Sequence, residues 1–171
     1  MKASVKTIQP NTVVFKLVEG SYSKIPGVFR EIYKWIGDKG YISCDSPIVV
    51  YITEPGELPD CKSLWEVRVP LAVSVEVSEA DTCGIGVKRT GVSQVASVIH
   101  DNSYETVNHS YFELTDWIRD NGYEVVGPHE ELYFHCSKDA NGGHFNTEIR
   151  YPVKRLSPNR PESLSFSAEI N

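Results

Sequence analysis

Twelve residues between positions 21 and 71 recur at one fixed offset, and that repetition restricts the fold more than any other property of the sequence. Glu66, Arg68 and Pro70 return 82 positions later (148 − 66) as Glu148, Arg150 and Pro152. Ser21, Tyr22, Glu31, Trp35, Ile36, Asp38, Gly40, Tyr41 and Tyr51 return as Ser103, Tyr104, Glu113, Trp117, Ile118, Asp120, Gly122, Tyr123 and Tyr133. Unrelated stretches agree at about one position in twenty, so the 51 positions from 21 to 71 should match 103 to 153 about three times by chance. A period this long belongs to a duplicated supersecondary unit. The expected organisation is therefore one domain over 1–171, with a first module at 3–71, a second at 83–153 and a C-terminal tail at 154–171.

Hydrophobic periodicity supplies the content of each unit. Val5 to Ile8 and Thr12 to Val18 are β-branched runs broken at Gln9-Pro10-Asn11. Ile25, Val28, Phe29, Ile32 and Ile36 then fall at helical spacing, predicting a helix over about 25 to 39 that Gly40 stops. Ile48 to Thr53 and Leu64 to Leu71 read as strands. The second unit repeats this order: a strand within Ile85 to His100 interrupted near Gly91, a helix on Val107, Tyr111, Leu114 and Ile118 closed by Gly122, then strands at Glu130 to Cys136 and Phe145 to Val153. Leu164 to Ile170 is a candidate edge strand in the tail. Each helix has an apolar face too narrow to hide alone, so the expected fold class is α+β. The two βαββ units would share one antiparallel sheet carrying two helices.

A chain of 171 residues buries about 70% of its unfolded surface and needs no staples. Cys44, Cys61, Cys83 and Cys136 have no matched positions in the two halves, so free thiols are expected rather than a disulfide framework. The formal charge of −6 argues against direct nucleic acid binding, which depends on Lys and Arg displacing counterions. No apolar stretch approaches a membrane span, and the opening residues lack a signal-peptide core, so the expectation is a cytoplasmic protein with no membrane partner. His129, His135, Cys136 and His144 match no zinc spacing, and Gly84-Ile-Gly86 lacks the strand-to-helix context of a dinucleotide loop, so no metal or nucleotide cofactor is expected. The two glycines read instead as turn or bulge residues.

Candidate site residues come from strand parity. Leu132, Phe134, Ile149 and Tyr151 are assigned to one face, and Glu131, Tyr133, His135, Glu148 and Arg150 to the other. In the first half Val50, Ile52, Val67 and Val69 oppose Tyr51, Glu66 and Arg68. Tyr51, Tyr133, Glu66 and Glu148 are thus expected to point the same way, toward a groove or as cross-strand ion pairs with Arg68 and Arg150 on a wet sheet face. Tyr22 and Tyr104 fall at loop entrances where a groove rim would lie. Trp35 and Trp117 fit either a groove wall or, more commonly for a large aromatic at a helix end, the core.

Asn102-Ser103-Tyr104, the helix ending Trp117 to Tyr123, the Gly127-Pro128 turn, Leu132-Tyr133 and Thr147-Glu148-Ile149 running to Pro152 together resemble the GyrI-like small-molecule-binding family. That family includes the effector-binding domains of multidrug-sensing MerR-type and AraC-type bacterial regulators. The resemblance implies two βαββ modules related by a pseudo-twofold axis in one curved sheet, with a ligand groove where their central strands meet, Glu148 as its acid and Tyr133 as the tyrosine of the preceding strand. Arg150 departs from the aromatic residue common at its position and leaves the charge of the ligand open. The implied function is binding of hydrophobic, ring-bearing small molecules as a stand-alone sensor or sequestering protein, with Tyr51, Glu66, Arg68, Arg150, Tyr104, Tyr22, Trp117 and His135 beside Glu148 and Tyr133. Two alternatives accompany it. One is a hydrolase opening cyclopropane-containing alkylators, Glu148 acting as base and Tyr133 as donor. The other is a gyrase-inhibitor-type interaction module with gyrase or a regulator as protein partner.

Overall fold

A computed structural model describes residues 2–100, 107–134 and 147–157. Nine strands and two helices follow the order β1 (Ser4–Ile8), β2 (Thr12–Glu19), α1 (Ile25–Asp38), β3 (Ile48–Tyr51), β4 (Leu64–Pro70), β5 (Ile85–Arg89), β6 (Ser93–His100), α2 (Val107–Asp120), β7 (Tyr123–Val125), β8 (Glu130–Tyr133) and β9 (Thr147–Arg155). Pro26 lies in the first turn of α1, where its missing N–H costs nothing, and Ile25, Val28, Ile32 and Ile36 form the buried stripe. Gly40 and Gly122 close the two helices at φ 70° and 73°, a left-handed conformation that a side chain would strain. Gly84 turns the chain at φ 75°, its amide bonded to the Asp81 carbonyl, and Gly86 passes so close to Ser78 to Ala80 that a Cβ has no room. The short strand β7 is not foreseen by periodicity, since three residues are too few to show any.

All pairings are antiparallel, and the sheet runs β1-β6-β9-β8-β3-β4-β2-β5, with β7 beside the far end of β9. β1 and β2 therefore run in the same direction but belong to opposite ends of the sheet, joined only by residues 9–11. That link spans at most about 14 Å, whereas six strand spacings in a flat sheet take about 29 Å. The sheet must curl until its ends approach. β5 and β6 cross back by an equivalent link, and the two links are tied together, the Asn11 amide donating to Thr90 Oγ1 at 2.9 Å and the Thr90 amide to the Asn11 carbonyl at 2.8 Å. Adding 82 carries α1 onto α2 and β3 onto β8 residue for residue, and carries the β2–β4 and β3–β4 registers onto those of β6–β9 and β8–β9.

Both helices lie on one face. α1 seals a core of Val14, Val49, Trp65, Val67, Val69 and their neighbours, and α2 seals a second core around Ala96, Val98, Leu114, Ile118 and Ile149. Between them β3 and β8 pair at the centre of the sheet.

The faces expected from parity need correction. Tyr51 pairs with Trp65 and Val50 with Glu66, while Leu132 pairs with Glu148 and Glu131 with Ile149. Directly opposed residues share a face, so Tyr51, Glu131 and Tyr133 lie on the helix-covered face. Glu66, Arg68, Glu148 and Arg150 lie on the other. Parity along each strand was read correctly, but its phase between neighbouring strands was not.

Candidate ligand-binding site

The middle strand β8 and the residue before it set a polar row on the helix-covered face, His129, Glu131 and Tyr133. The ladder extends one step beyond β3 and β8, since the Tyr51 amide donates to the His129 carbonyl at 3.0 Å. Tyr51 thereby stands beside His129, its ring stacked on the imidazole at 4.6 Å and 10°. Tyr151 lies on the other flank at 5.5 Å, and Tyr111 of α2 meets His129 edge-on at 5.1 Å. Phe29 of α1 contacts Tyr133 at 5.7 Å, and Tyr22 contacts Tyr51 at 5.3 Å. Both helices thus contribute rings around the seam.

Glu131 is the focus of this ring of aromatics. The Tyr51 hydroxyl donates to its Oε2 at 2.7 Å and lies 3.0 Å from the Tyr133 hydroxyl. Tyr133 also donates to Oε2, and Tyr111 donates to Oε1. Burial, reinforced by the neighbouring Glu131 charge, pushes the Tyr51 and Tyr111 hydroxyls far above their ordinary value, so they remain donors. Tyr151 is pushed up to about 12, again mainly by burial. Among the described residues no Lys, Arg or His forms an ion pair with Glu131. His129 is buried, with Nδ1 3.1 Å from Glu54 Oε1 and Nε2 without a hydrogen-bond partner among the described residues. An unpaired buried polar atom of this kind costs about 1–3 kcal/mol and calls for a partner.

Glu148 and Glu66, the duplicated acids, are situated differently. Glu148 receives Lys6 at 2.5 Å and Arg150 Nη2 at 2.7 Å. Glu66 receives Arg68 at 2.5 Å and Lys88 at 2.6 Å. Each arginine thus pairs with the acid two residues before it on its own strand, and the cations that reach in from other strands are Lys6 of β1 and Lys88 of β5, on the face away from the helices. Tyr133 and Glu148 therefore leave opposite sides of the sheet and cannot act on one bound molecule. Trp117 stacks on Tyr123 at 6.4 Å against the second core, away from the row. Tyr104 and His135, with Cys136 and His144, lie outside the described residues, as does the expected tail strand.

Glu131, His129, Tyr111 and Tyr151 were not among the expected site residues because they break the repeat. Their equivalents 82 positions earlier are Val49, Pro47, Phe29 and Val69. The available signal was the i, i+2 spacing of His129, Glu131 and Tyr133 on one strand face. Among the described residues no group of three His, Cys, Asp or Glu is placed to hold a metal ion. No helix among them is long and apolar enough to cross a membrane.

A mixed α+β domain with an acid-centred aromatic row at the seam of its sheet belongs to the class of small-molecule-binding domains. More narrowly, a model of the GyrI-like small molecule binding domain matches residues 1–154, and the chain belongs to that family. The EcmrR C-terminal domain is similar in structure at 19% identity, with a TM-score of 0.75 over 91% of this chain and 98% of that one. A hydrolase from Listeria innocua gives 14% identity and a TM-score of 0.63, covering 90% of this chain and 92% of that one. SAV2435 bound to tetraphenylphosphonium gives 17% identity and a TM-score of 0.54, covering 90% of this chain and 94% of that one. At these identities the likeness is one of fold. A search of curated proteins finds no match.

Proposed function

We propose that the chain binds hydrophobic, ring-bearing cations at the seam of the sheet, with Glu131 as counter-charge and Tyr51, Tyr111, Tyr133 and His129 as aromatic walls. The observation that carries this reading is the difference between the three acids at the middle of the sheet. Glu66 and Glu148 are each neutralised by two cations, whereas among the described residues Glu131 is held by tyrosine hydroxyls alone. The hydroxyls satisfy the oxygens but leave the charge, which a cation among rings would neutralise while gaining roughly 0.5–2 kcal/mol per cation–π contact. His129 Nε2 offers a further polar contact. Arg150, which left the ligand's charge open, is committed to Glu148 on the other face and does not compete. The similarity to SAV2435, which was solved with a lipophilic aromatic cation, supports the same direction. The role is that of an effector-binding or sequestering protein with multidrug character in the bacterial cytoplasm. Titration calorimetry with tetraphenylphosphonium tests it: Glu131→Gln should weaken binding at least tenfold, and equal binding by both proteins would overturn it.

A second reading uses the same residues for hydrolysis, favoured by the bond between the Tyr133 hydroxyl and a carboxylate. The base would then be Glu131 rather than Glu148, with Tyr133 supplying a proton to the leaving oxygen. Incubation with a cyclopropane-bearing alkylator separates the two: turnover lost in Glu131→Gln and Tyr133→Phe supports hydrolysis, and intact alkylator refutes it. Recovery of gyrase in a pull-down, with no cation binding, would favour the interaction-module reading instead.

A further inference from the structure

We propose that the opposite face of the sheet carries a second, independent site for an amphipathic organic anion, a carboxylate or sulfonate borne on rings or a short acyl chain. A cavity of about 590 Å³ lies there, within the size range of small-molecule pockets. Its floor is the apolar centre of the sheet, where Ile48 pairs with Leu132, flanked by Val50, Val13 and Val95. Its rim is formed by the two crossing links, residues 9–11 and 90–92, which the curl of the sheet brings over this face. Because the floor belongs to the side of β3 and β8 away from the helices, a molecule here is separated from Glu131 by the sheet itself.

The charge lining this space runs against that of the chain. Arg68, Lys88, Arg89 and Arg150 face Asp45 and Glu130, on a protein whose formal charge is −6. When the ion-paired Glu66, Glu148 and Lys6 are also counted, one positive charge remains, which fits a monoanion. The cations are not equally committed. Arg68 bonds Glu66 and reaches Glu130 across the sheet at 3.2 Å. The position that would answer Arg150 in the same way is Ile48 (130 − 82), which carries no charge. Glu130 stands beside Arg150 in register but its ion pair is with Arg68. Arg89 is exposed and forms no ion pair among the described residues. Arg150 bonds Glu148 through Nε and Nη2, but Glu148 also takes Lys6. The acidic head is therefore assigned first to Arg89, with Arg150 as the second cation of the lining, and the apolar body to the Ile48 and Leu132 floor. Partial desolvation between the floor and the links makes such a charge contact stronger than one on open surface.

The probe is 8-anilinonaphthalene-1-sulfonate, an aromatic sulfonate that fluoresces in apolar surroundings. One probe per chain is expected, with shifts of the Ile48 and Leu132 methyl signals in NMR spectra and no displacement by tetraphenylphosphonium. Arg89→Glu, at an exposed position that leaves folding intact by circular dichroism, should weaken the probe at least tenfold without changing tetraphenylphosphonium binding. Glu131→Gln should do the reverse, so this site and the cation site fail separately. Absence of probe binding, an unchanged affinity in Arg89→Glu, or one-for-one displacement by tetraphenylphosphonium would each overturn the proposal.

Discussion

A carboxylate withdrawn from water needs either a cation or several hydrogen-bond donors, and the acids of this sheet divide between the two solutions. Glu148 takes the first. Burial pushes its carboxyl up, but the hydrogen bonds from Arg150 and Lys6, with the Arg150 charge, outweigh this and hold it below its ordinary value of 4.5. A carboxylate depressed in the folded state stabilises that state fully above its unfolded value, and the contribution is lost as pH falls through the folded value. Urea midpoints should therefore drop on acidification below about pH 4.5, and the gap between wild type and Glu148→Gln should close as they do. Arg150→Met leaves Glu148 with Lys6 and the Ser97 hydroxyl and should cost about 3–5 kcal/mol. The double change with Glu148→Gln should recover much of that loss, and neither variant should alter binding at Glu131.

At the scale of elements, the helix ends and one crowded strand are places where the backbone favours glycine, for different reasons. Gly40 and Gly122 adopt positive φ in open surroundings, so an alanine there meets no neighbour and suffers only backbone strain. Each Gly→Ala change should cost about 1–2 kcal/mol, read as a shift in urea midpoint. Gly86 is limited by space instead. A Cβ would stand 2.8 Å from the Ser78 carbonyl oxygen and 2.9 Å from the Ala80 amide nitrogen. Gly86→Ala should push the segment of residues 78–80 off β5 and lose the paired amides of Ser78 and Val87, measurable as faster hydrogen exchange at those two positions.

For the molecule as a whole, the seam also sets the alkaline limit. Tyr51, Tyr111 and Tyr151 have hydroxyls raised by burial, so the stability they provide is complete below the ordinary phenol value near 10 and is lost as pH rises beyond it. Absorbance at 295 nm should show some of the nine tyrosines ionising near pH 10 and the seam residues only together with unfolding. A single smooth titration of all nine before unfolding would contradict the packing of Glu131.

The periods of the hydrophobic residues and the glycine stops are local properties. They were legible enough to place α1, α2 and the longer strands within a few residues. The proposed role of Glu131, an acid without an ion pair among the described residues, was not legible, for two physical reasons. Alternation along a strand is set by its own backbone, but the face it presents relative to its neighbour depends on register. In both β3–β4 and β8–β9 residues of like parity oppose each other, so Tyr51 accompanies Trp65 rather than Glu66. The repeat, moreover, drew notice to residues present twice, whereas the site depends on those present once: His129 for Pro47 and Glu131 for Val49. The sequence by itself determined the two helices, the longer strands and their order. Only the curl and register of the sheet decided that Glu148 and Tyr133 stand on opposite faces, because those arise from contacts between strands distant in the chain.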